Sequence, residues 1–224
     1  MTSFWITGTD TDVGKTIVTT YMMRYFQSKG STIPYKPVQS GITEYASDTK
    51  FYQSFSEIKL EEEHVNSYSF IEPASPHYAA RLEQTVIEEN KILDKIKHLQ
   101  SIYEHVICEG AGGLFVPLNV EKSYHLLDLI QQSSLPVIVV ARSTLGTINH
   151  TLLSIEALKA RNISILGIVF NGYDGSSLED DNITTIQQLT NLPFLVIPKL
   201  QNLSDLKELQ IENTEEFFER LVKV

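Results

Sequence analysis

The 224 residues, 42% of them hydrophobic, suffice to bury one sizeable core, so a single domain spanning 1–224 is expected. With 28 acidic against 18 basic side chains the formal charge is -10, which repels a nucleic-acid backbone or an anionic membrane and excludes both as expected partners; a nucleotide held by local amides and a few lysines stays open. The lone cysteine, Cys108, makes no intramolecular disulfide, the opening Met1-Thr2-Ser3-Phe4-Trp5 lacks a leader's basic segment and apolar run, and no apolar stretch approaches the roughly 20 residues of a membrane span, which together predict a soluble, cytoplasmic chain.

Phe4-Trp5-Ile6-Thr7 reads as a first strand. It runs into Gly8-Thr9-Asp10-Thr11-Asp12-Val13-Gly14-Lys15-Thr16, after which Ile17, Tyr21 and Tyr25, with Val18 and Met22 beside them, repeat at helical spacing. Strand, glycine loop, Gly-Lys-Thr and helix form the physical recipe for holding a triphosphate: loop amides and the helix amino end point at the anion, Lys15 neutralises it and Thr16 binds magnesium. The usual pattern sets its first glycine five positions before the second; here that position is Thr9, with Gly8 one step earlier, so the loop is a variant. Asp10 and Asp12 read as acids favoured near a helix start by the dipole, not as catalytic groups.

Thr32 to Val38 reads as the next strand and carries Lys36, which is either an exposed lysine with a snorkelling stem or a second phosphate cation beside the loop. The segment 39–84, punctuated by Gly41, Pro73 and Pro76, reads as irregular and is expected over the carboxyl ends of the strands; within it Asp48 after Ser47 resembles an ordinary helix cap. Ile92, Ile96, Leu99 and Tyr103 mark another helix. Val106-Ile107-Cys108 then forms a buried strand ending in Glu109, where P-loop enzymes commonly place a magnesium carboxylate, and the small residues 110–113 leave room for a ligand.

Helices near 124–133, 147–161, 179–191 and 213–223 alternate with apolar strands at Pro136 to Ala141, Ile163 to Phe170 and Phe194 to Pro198. The alternation predicts an α/β, P-loop NTPase fold with a mostly parallel sheet and helices on both faces. Asn171-Gly172-Tyr173-Asp174 imitates the guanine motif Asn-Lys-x-Asp without its lysine; a purine contact and a plain turn are both open. The histidines at 64, 77, 98, 105, 125 and 150 show no metal-ligand spacing, and Phe217 and Phe218 are expected to dock a terminal helix.

Taken together, Gly8 to Thr16, Tyr35-Lys36-Pro37-Val38-Gln39-Ser40-Gly41, Glu72-Pro73-Ala74-Ser75-Pro76-His77, Glu109 to Gly113 and Leu145-Gly146-Thr147-Ile148-Asn149-His150 resemble the motifs of the dethiobiotin synthetase family, in order and over most of the chain. The resemblance implies a homodimer that takes 7,8-diaminopelargonate, CO2 and MgATP to dethiobiotin, ADP and phosphate, through a carbamate and a carbamic-phosphoric anhydride. It implies that Lys15 and Lys36, with Thr11 nearby, are catalytic; that Thr16, Asp48 and Glu109 bind Mg2+; and that Asp12 to Ile17 (Asp12, Val13, Gly14, Lys15, Thr16, Ile17) cradle the ATP phosphates. Ser40 and the small residues 110–113 would touch the diamine, Gly110, Ala111 and Gly112 also counting among the nucleotide-binding residues, and Gly146, Thr147, Ile148 and Asn149 of a second subunit would hold the substrate carboxylate. Asn171, Gly172, Pro198, Lys199 and Leu200 would face the base, together with Asp205 from the less closely matching tail. Two other classes share these parts. A partition or septum-positioning ATPase switch usually has a second lysine early in the loop and a DNA- or membrane-binding patch, neither of which occurs here; a cobyrinate-type amidoligase needs a glutamine-hydrolysing domain for which 224 residues leave no room.

Overall fold

The computed structural model describes residues 2–43 and 47–222. In chain order the elements are β1 (Thr2–Gly8), α1 (Lys15–Gln27), β2 (Thr32–Gln39), α2 (Asp48–Phe55), α3 (Glu62–Val65), β3 (Asn66–Ser69), α4 (Pro76–Leu82), α5 (Glu89–Ile102), β4 (His105–Gly113), β5 (Pro117–Asn119), β6 (Tyr124–His125), α6 (Leu126–Ser133), β7 (Val137–Ala141), α7 (Thr147–Ala160), β8 (Ile165–Tyr173), α8 (Ser177–Thr190), β9 (Phe194–Pro198), a 3-10 turn (Leu203–Lys207) and α9 (Thr214–Val222). Seven strands pair in parallel in the order β3-β2-β4-β1-β7-β8-β9, and β5 with β6 makes a separate antiparallel ribbon.

β1 and β7 are the continuous apolar runs that a strand covered on both faces requires, and Phe4, Trp5, Ile6 and Val137 to Ala141 are all fully buried. Alternation assigns their neighbours to opposite faces: Val169 joins the large core cluster, whereas Ile168 and Phe170 pack with Ile155 of α7 and with Ile183 and Ile186 of α8. The chain leaves β1 through α1 to β2 on one side of the sheet, and later crosses from β4 through α6 to β7 on the other. That reversal opens a crevice at the carboxyl ends of β1, β4 and β7, where an α/β sheet binds its ligand.

The segment 39–84 is more ordered than its punctuation suggests, holding α2, α3, β3 and α4. Asn66-Ser67-Tyr68-Ser69 buries only Tyr68, so no apolar run announces β3; it sits at the sheet edge, where polar strands are tolerated, and Asn66 Nδ2 donates to the Lys36 carbonyl at 2.6 Å. The helix expected over 124–133 starts at Leu126, because Tyr124 and His125 pair with β5 and His125 closes a capping box with Asp128. The expected terminal helix runs from Thr214 to Val222, residue 223 lying outside the described residues, and Phe217 and Phe218 join the core. Cys108 is fully buried in β4, which pushes its thiol pKa up and makes it a packing residue. No helix among the described residues is long and apolar enough to cross a membrane.

Candidate active site

At its two ends, Gly8 and Gly14, the phosphate loop leaves no space for a side chain. A Cβ at Gly8 would lie 2.7 Å from Val13 Cγ2 and 2.8 Å from the Asp10 carbonyl, so the steric need for glycine falls at residue 8, not at Thr9. Gly14 has φ +91°, a conformation that disfavours side chains, and a Cβ there would meet Asn171 Nδ2 at 1.9 Å. Asn171 uses that closeness to donate to the Val13 carbonyl at 3.1 Å, and Arg142 Nη2 donates to the Asp12 carbonyl at 3.2 Å. Lys15 curls back to the Asp10 carbonyl at 2.9 Å, while Asp10 Oδ1 accepts from the Thr11 backbone at 2.7 Å. Helix α1 starts at Lys15, just after Asp12, and Asp10 also braces the loop through its bond from the Thr11 backbone. Burial pushes the Lys15 pKa below the ordinary lysine value, although Glu109 pulls the other way.

Beside the loop, four elements converge on one carboxylate. Thr16 comes from the first turn of α1, Lys36 from β2, Asp48 from the start of α2 and Glu109 from β4. Thr16 Oγ1 lies 2.9 Å from Asp48 Oδ1 and 3.0 Å from Glu109 Oε1; Lys36 Nζ lies 2.7 Å from Glu109 Oε1 and also pairs with Asp48 Oδ2. The Lys36 and Glu109 side chains are 8% and 0% exposed, which rules out the solvent-facing alternative for Lys36. Its burial would by itself lower the ammonium's pKa, but Glu109 and Asp48 outweigh that and raise it. Ser47 is the cap of α2, accepting from the Lys50 backbone at 3.2 Å, and this leaves the Asp48 carboxylate free for the cluster. Tyr52, one turn beyond Asp48, donates its buried hydroxyl to Glu109 Oε2. Burial, reinforced by the Glu109 charge, raises its pKa well above the ordinary value and keeps it a phenol.

The donors suit magnesium. Asp48 Oδ1 and Glu109 Oε1 lie 2.9 and 3.0 Å from Thr16 Oγ1, and all three are hard oxygens of the kind magnesium takes. Among the described residues no group of three or more His, Cys, Asp and Glu could hold a metal ion.

The other expected positions divide. Asn171 and Gly172 at the end of β8 lie beside Pro198 and Lys199, since Asn171 pairs with Ile197, Tyr173 pairs with Pro198, and Lys199 N donates to the Tyr173 carbonyl at 2.8 Å. Leu200 packs against the core from the same turn. Asp205 is occupied, its carboxylate accepting from Asn202 N at 3.0 Å in a capping box. Ser40 donates to the Ala74 carbonyl at 2.7 Å, tying β2 to the turn before α4. The space left by Gly110 is filled by Leu126, whose Cδ2 would meet a Cβ at 2.5 Å, and Val116 crowds Gly112, which has φ +69°. Ala111, between them, is half-buried.

An open groove of about 700 Å3 runs past Thr9, Asp10, Gly113, Phe115, His150 and Leu153 toward α7. On the chain just before His150, Gly146 has φ +92° and α7 begins without a side-chain cap, Thr147 donating to the Arg142 carbonyl and Asn149 lying exposed next to half-buried Ile148. The turn before it is pinned from α8: Ser143 donates to the buried Glu179 carboxylate, and Asn182 Nδ2 donates to the Ser143 carbonyl at 2.8 Å. Sequence reasoning missed Arg142, Ser143, Glu179 and Tyr52; only Tyr52 carried a local signal, its four-residue offset from Asp48 on one helix.

A glycine loop at the end of the central strand, opening a helix whose threonine faces a carboxylate from the neighbouring strand, defines a P-loop nucleotide-binding enzyme. The chain matches the AAA domain family AAA_26 over residues 2–208. It is 54% identical to an ATP-dependent dethiobiotin synthetase BioD of Lysinibacillus sphaericus over 99% of this chain and 97% of that protein, and 42% identical to the protein of that name from Halalkalibacterium halodurans over 86% and 82%. The chain belongs to the ATP-dependent dethiobiotin synthetase family. Solved structures share the fold alone: McdA of Cyanothece at TM-score 0.60 and 13% identity, covering 100% of this chain and 98% of that one, and the septum site-determining protein MinD of Pyrococcus horikoshii with Mg-ADP at 0.59 and 15%, covering 99% and 95%.

Proposed function

We propose that the chain carries out ATP-dependent carboxylation and ring closure of 7,8-diaminopelargonate with CO2, giving dethiobiotin, ADP and phosphate. The observation that carries this reading is Lys36, a buried ammonium 2.7 Å from Glu109 and beside the phosphate loop, a second fixed positive charge where a phosphoryl group passes between anionic oxygens. One amine adds to CO2 and loses a proton, forming a carbamate. A carbamate oxygen attacks the γ-phosphorus of ATP and ADP leaves; the second amine then attacks the carbonyl carbon, phosphate leaves and the ring closes.

The protein positions these groups and screens their charge, with no covalent step of its own. Lys15 and the loop amides, with Thr11, hold the phosphates, and Lys36 faces the carbamate oxygen. Magnesium, held by Thr16, Asp48 and Glu109, would supply further charge neutralisation on the phosphates. The reading includes Ser40 near the diamine and Asn171 with Pro198 to Leu200 near the base. It also includes a homodimer in the cytoplasm, with the uncapped start of α7 of a second copy receiving the substrate carboxylate; the groove and 85%-exposed Leu145 support that contact. ADP release is expected only when the diamine and bicarbonate are both present. Release that ignores the diamine, or that DNA or lipid stimulates instead, refutes the reading.

A further inference from the structure

The Glu109 carboxylate divides its two oxygens between different neighbours. Oε1 lies 2.7 Å from Lys36 Nζ and 3.0 Å from Thr16 Oγ1, on the side facing the phosphate loop. Oε2 takes no part in those two contacts and accepts the hydroxyl of Tyr52. Glu109 and Tyr52 are both 0% exposed, so no solvent competes for Oε2. Tyr52 in turn belongs to the helix that begins with Asp48, one turn earlier, so a single short element supplies one carboxylate of the cluster and the hydroxyl that orients the other.

We infer that Tyr52 is a positioning residue for the metal: its hydroxyl fixes the Glu109 carboxylate with one oxygen withdrawn and Oε1 presented alone to the cation beside Thr16 and Asp48. The inference rests on the assignment of Glu109 as a magnesium ligand. Outer-shell donors to a ligating carboxylate change metal affinity by about 10–100-fold when removed, because the carboxylate can then rotate or bind through both oxygens. Magnesium, which demands a near-octahedral arrangement, is sensitive to that loss.

The substitution Tyr52→Phe keeps the buried ring and removes only the hydroxyl. Tyr21→Phe is the control, since it deletes another buried phenol hydroxyl, 2.8 Å from Thr214 Oγ1 and outside the carboxylate cluster. Mn2+ binding to the ADP complex, followed by electron paramagnetic resonance without turnover, is expected to weaken about tenfold in Tyr52→Phe and to stay within twofold of the parent in Tyr21→Phe. ADP affinity in EDTA should be unchanged in both.

Wild-type Mn2+ affinity in Tyr52→Phe overturns the inference. Equal weakening in the two variants, a parallel loss of metal-free ADP binding, or failure of Tyr52→Phe to fold assigns the phenol to the fold and overturns it too. Glu109→Gln separates the premise: retention of Mn2+ affinity there removes the metal assignment itself, whereas a loss there alongside an unaffected Tyr52→Phe removes only the role of Tyr52.

Discussion

Replacing Lys36 by methionine keeps a long flexible stem while deleting the ammonium that forms ion pairs with both Asp48 and Glu109. Breaking a buried ion pair by removing one partner costs about 3–5 kcal/mol, because the remaining charge stays buried. Glu109 is fully enclosed, but the Asp48 side chain is 33% exposed and recovers some hydration, which sets the expectation at the lower end, about 3 kcal/mol. For a domain of this size that corresponds to a fall in Tm of roughly 6–12 °C, at about 2–4 °C per kcal/mol. Thermal unfolding by circular dichroism in EDTA should show the fall. Excess Mg2+ with a non-hydrolysable ATP analogue should shrink it, because the magnesium proposed at this site would again neutralise the two carboxylates. Turnover should drop by about 10²–10³, the usual consequence of removing one preorganised charge at a transition state. A variant with unaltered Tm in EDTA would show that Lys36 does not compensate Glu109, and turnover within a few-fold of the parent would remove its catalytic role.

Gly14→Ala forces a side chain onto φ +91° and against the Asn171 amide, so nucleotide binding by isothermal titration should become undetectable while the far-ultraviolet spectrum stays that of an α/β protein. Glu179→Gln tests the brace under the α7 turn. Burial alone would raise the Glu179 pKa, but hydrogen bonds from Asp174, Ser143 and Ser176 outweigh it and hold it at about 2. A depressed acid of this kind contributes stability that is present above its unfolded pKa of about 4.5 and lost as pH falls from there toward about 2. The variant should therefore be less stable at pH 7 by about 2 kcal/mol, the order of one or two charged hydrogen bonds, and its acid unfolding curve should be flatter in that window. An acid limb identical to the parent's would refute the assignment.

What could be read from the chain alone was local. The phosphate loop, its lysine and its threonine are nine consecutive residues whose strand and helix flank them directly, and Glu109 follows an apolar run with no interruption. The carboxylate cluster as an assembly was legible only through family motifs, because Thr16 and Glu109 are 93 residues apart and Lys36 and Glu109 are 73 apart. Asp48 shows the ambiguity well: Ser-Asp at a helix start reads as one cap, yet Ser47 does the capping and Asp48 turns to the site. Asn171 offered a turn or a base contact, and the fold uses its amide first to tie down the Val13 carbonyl. β3 was illegible because an edge strand needs little apolar surface, and the tie between Ser143 and Glu179 because nothing in either segment announces the other.

The position of β1 between β4 and β7 also bears on how the chain is made. β1, whose Phe4, Trp5 and Ile6 are fully buried, finds its neighbours only at His105 and Val137. At about 5–20 residues per second, ribosomal synthesis leaves Phe4, Trp5 and Ile6 waiting roughly 5–20 s for the first of those partners and longer for the second. Until then α1 can cover one face of the strand, but both of its hydrogen-bonding edges stay open. The placement that gives the phosphate loop its central seat thus leaves both edges of β1 unpaired until late in elongation, and pauses before codon 141 would lengthen that exposure.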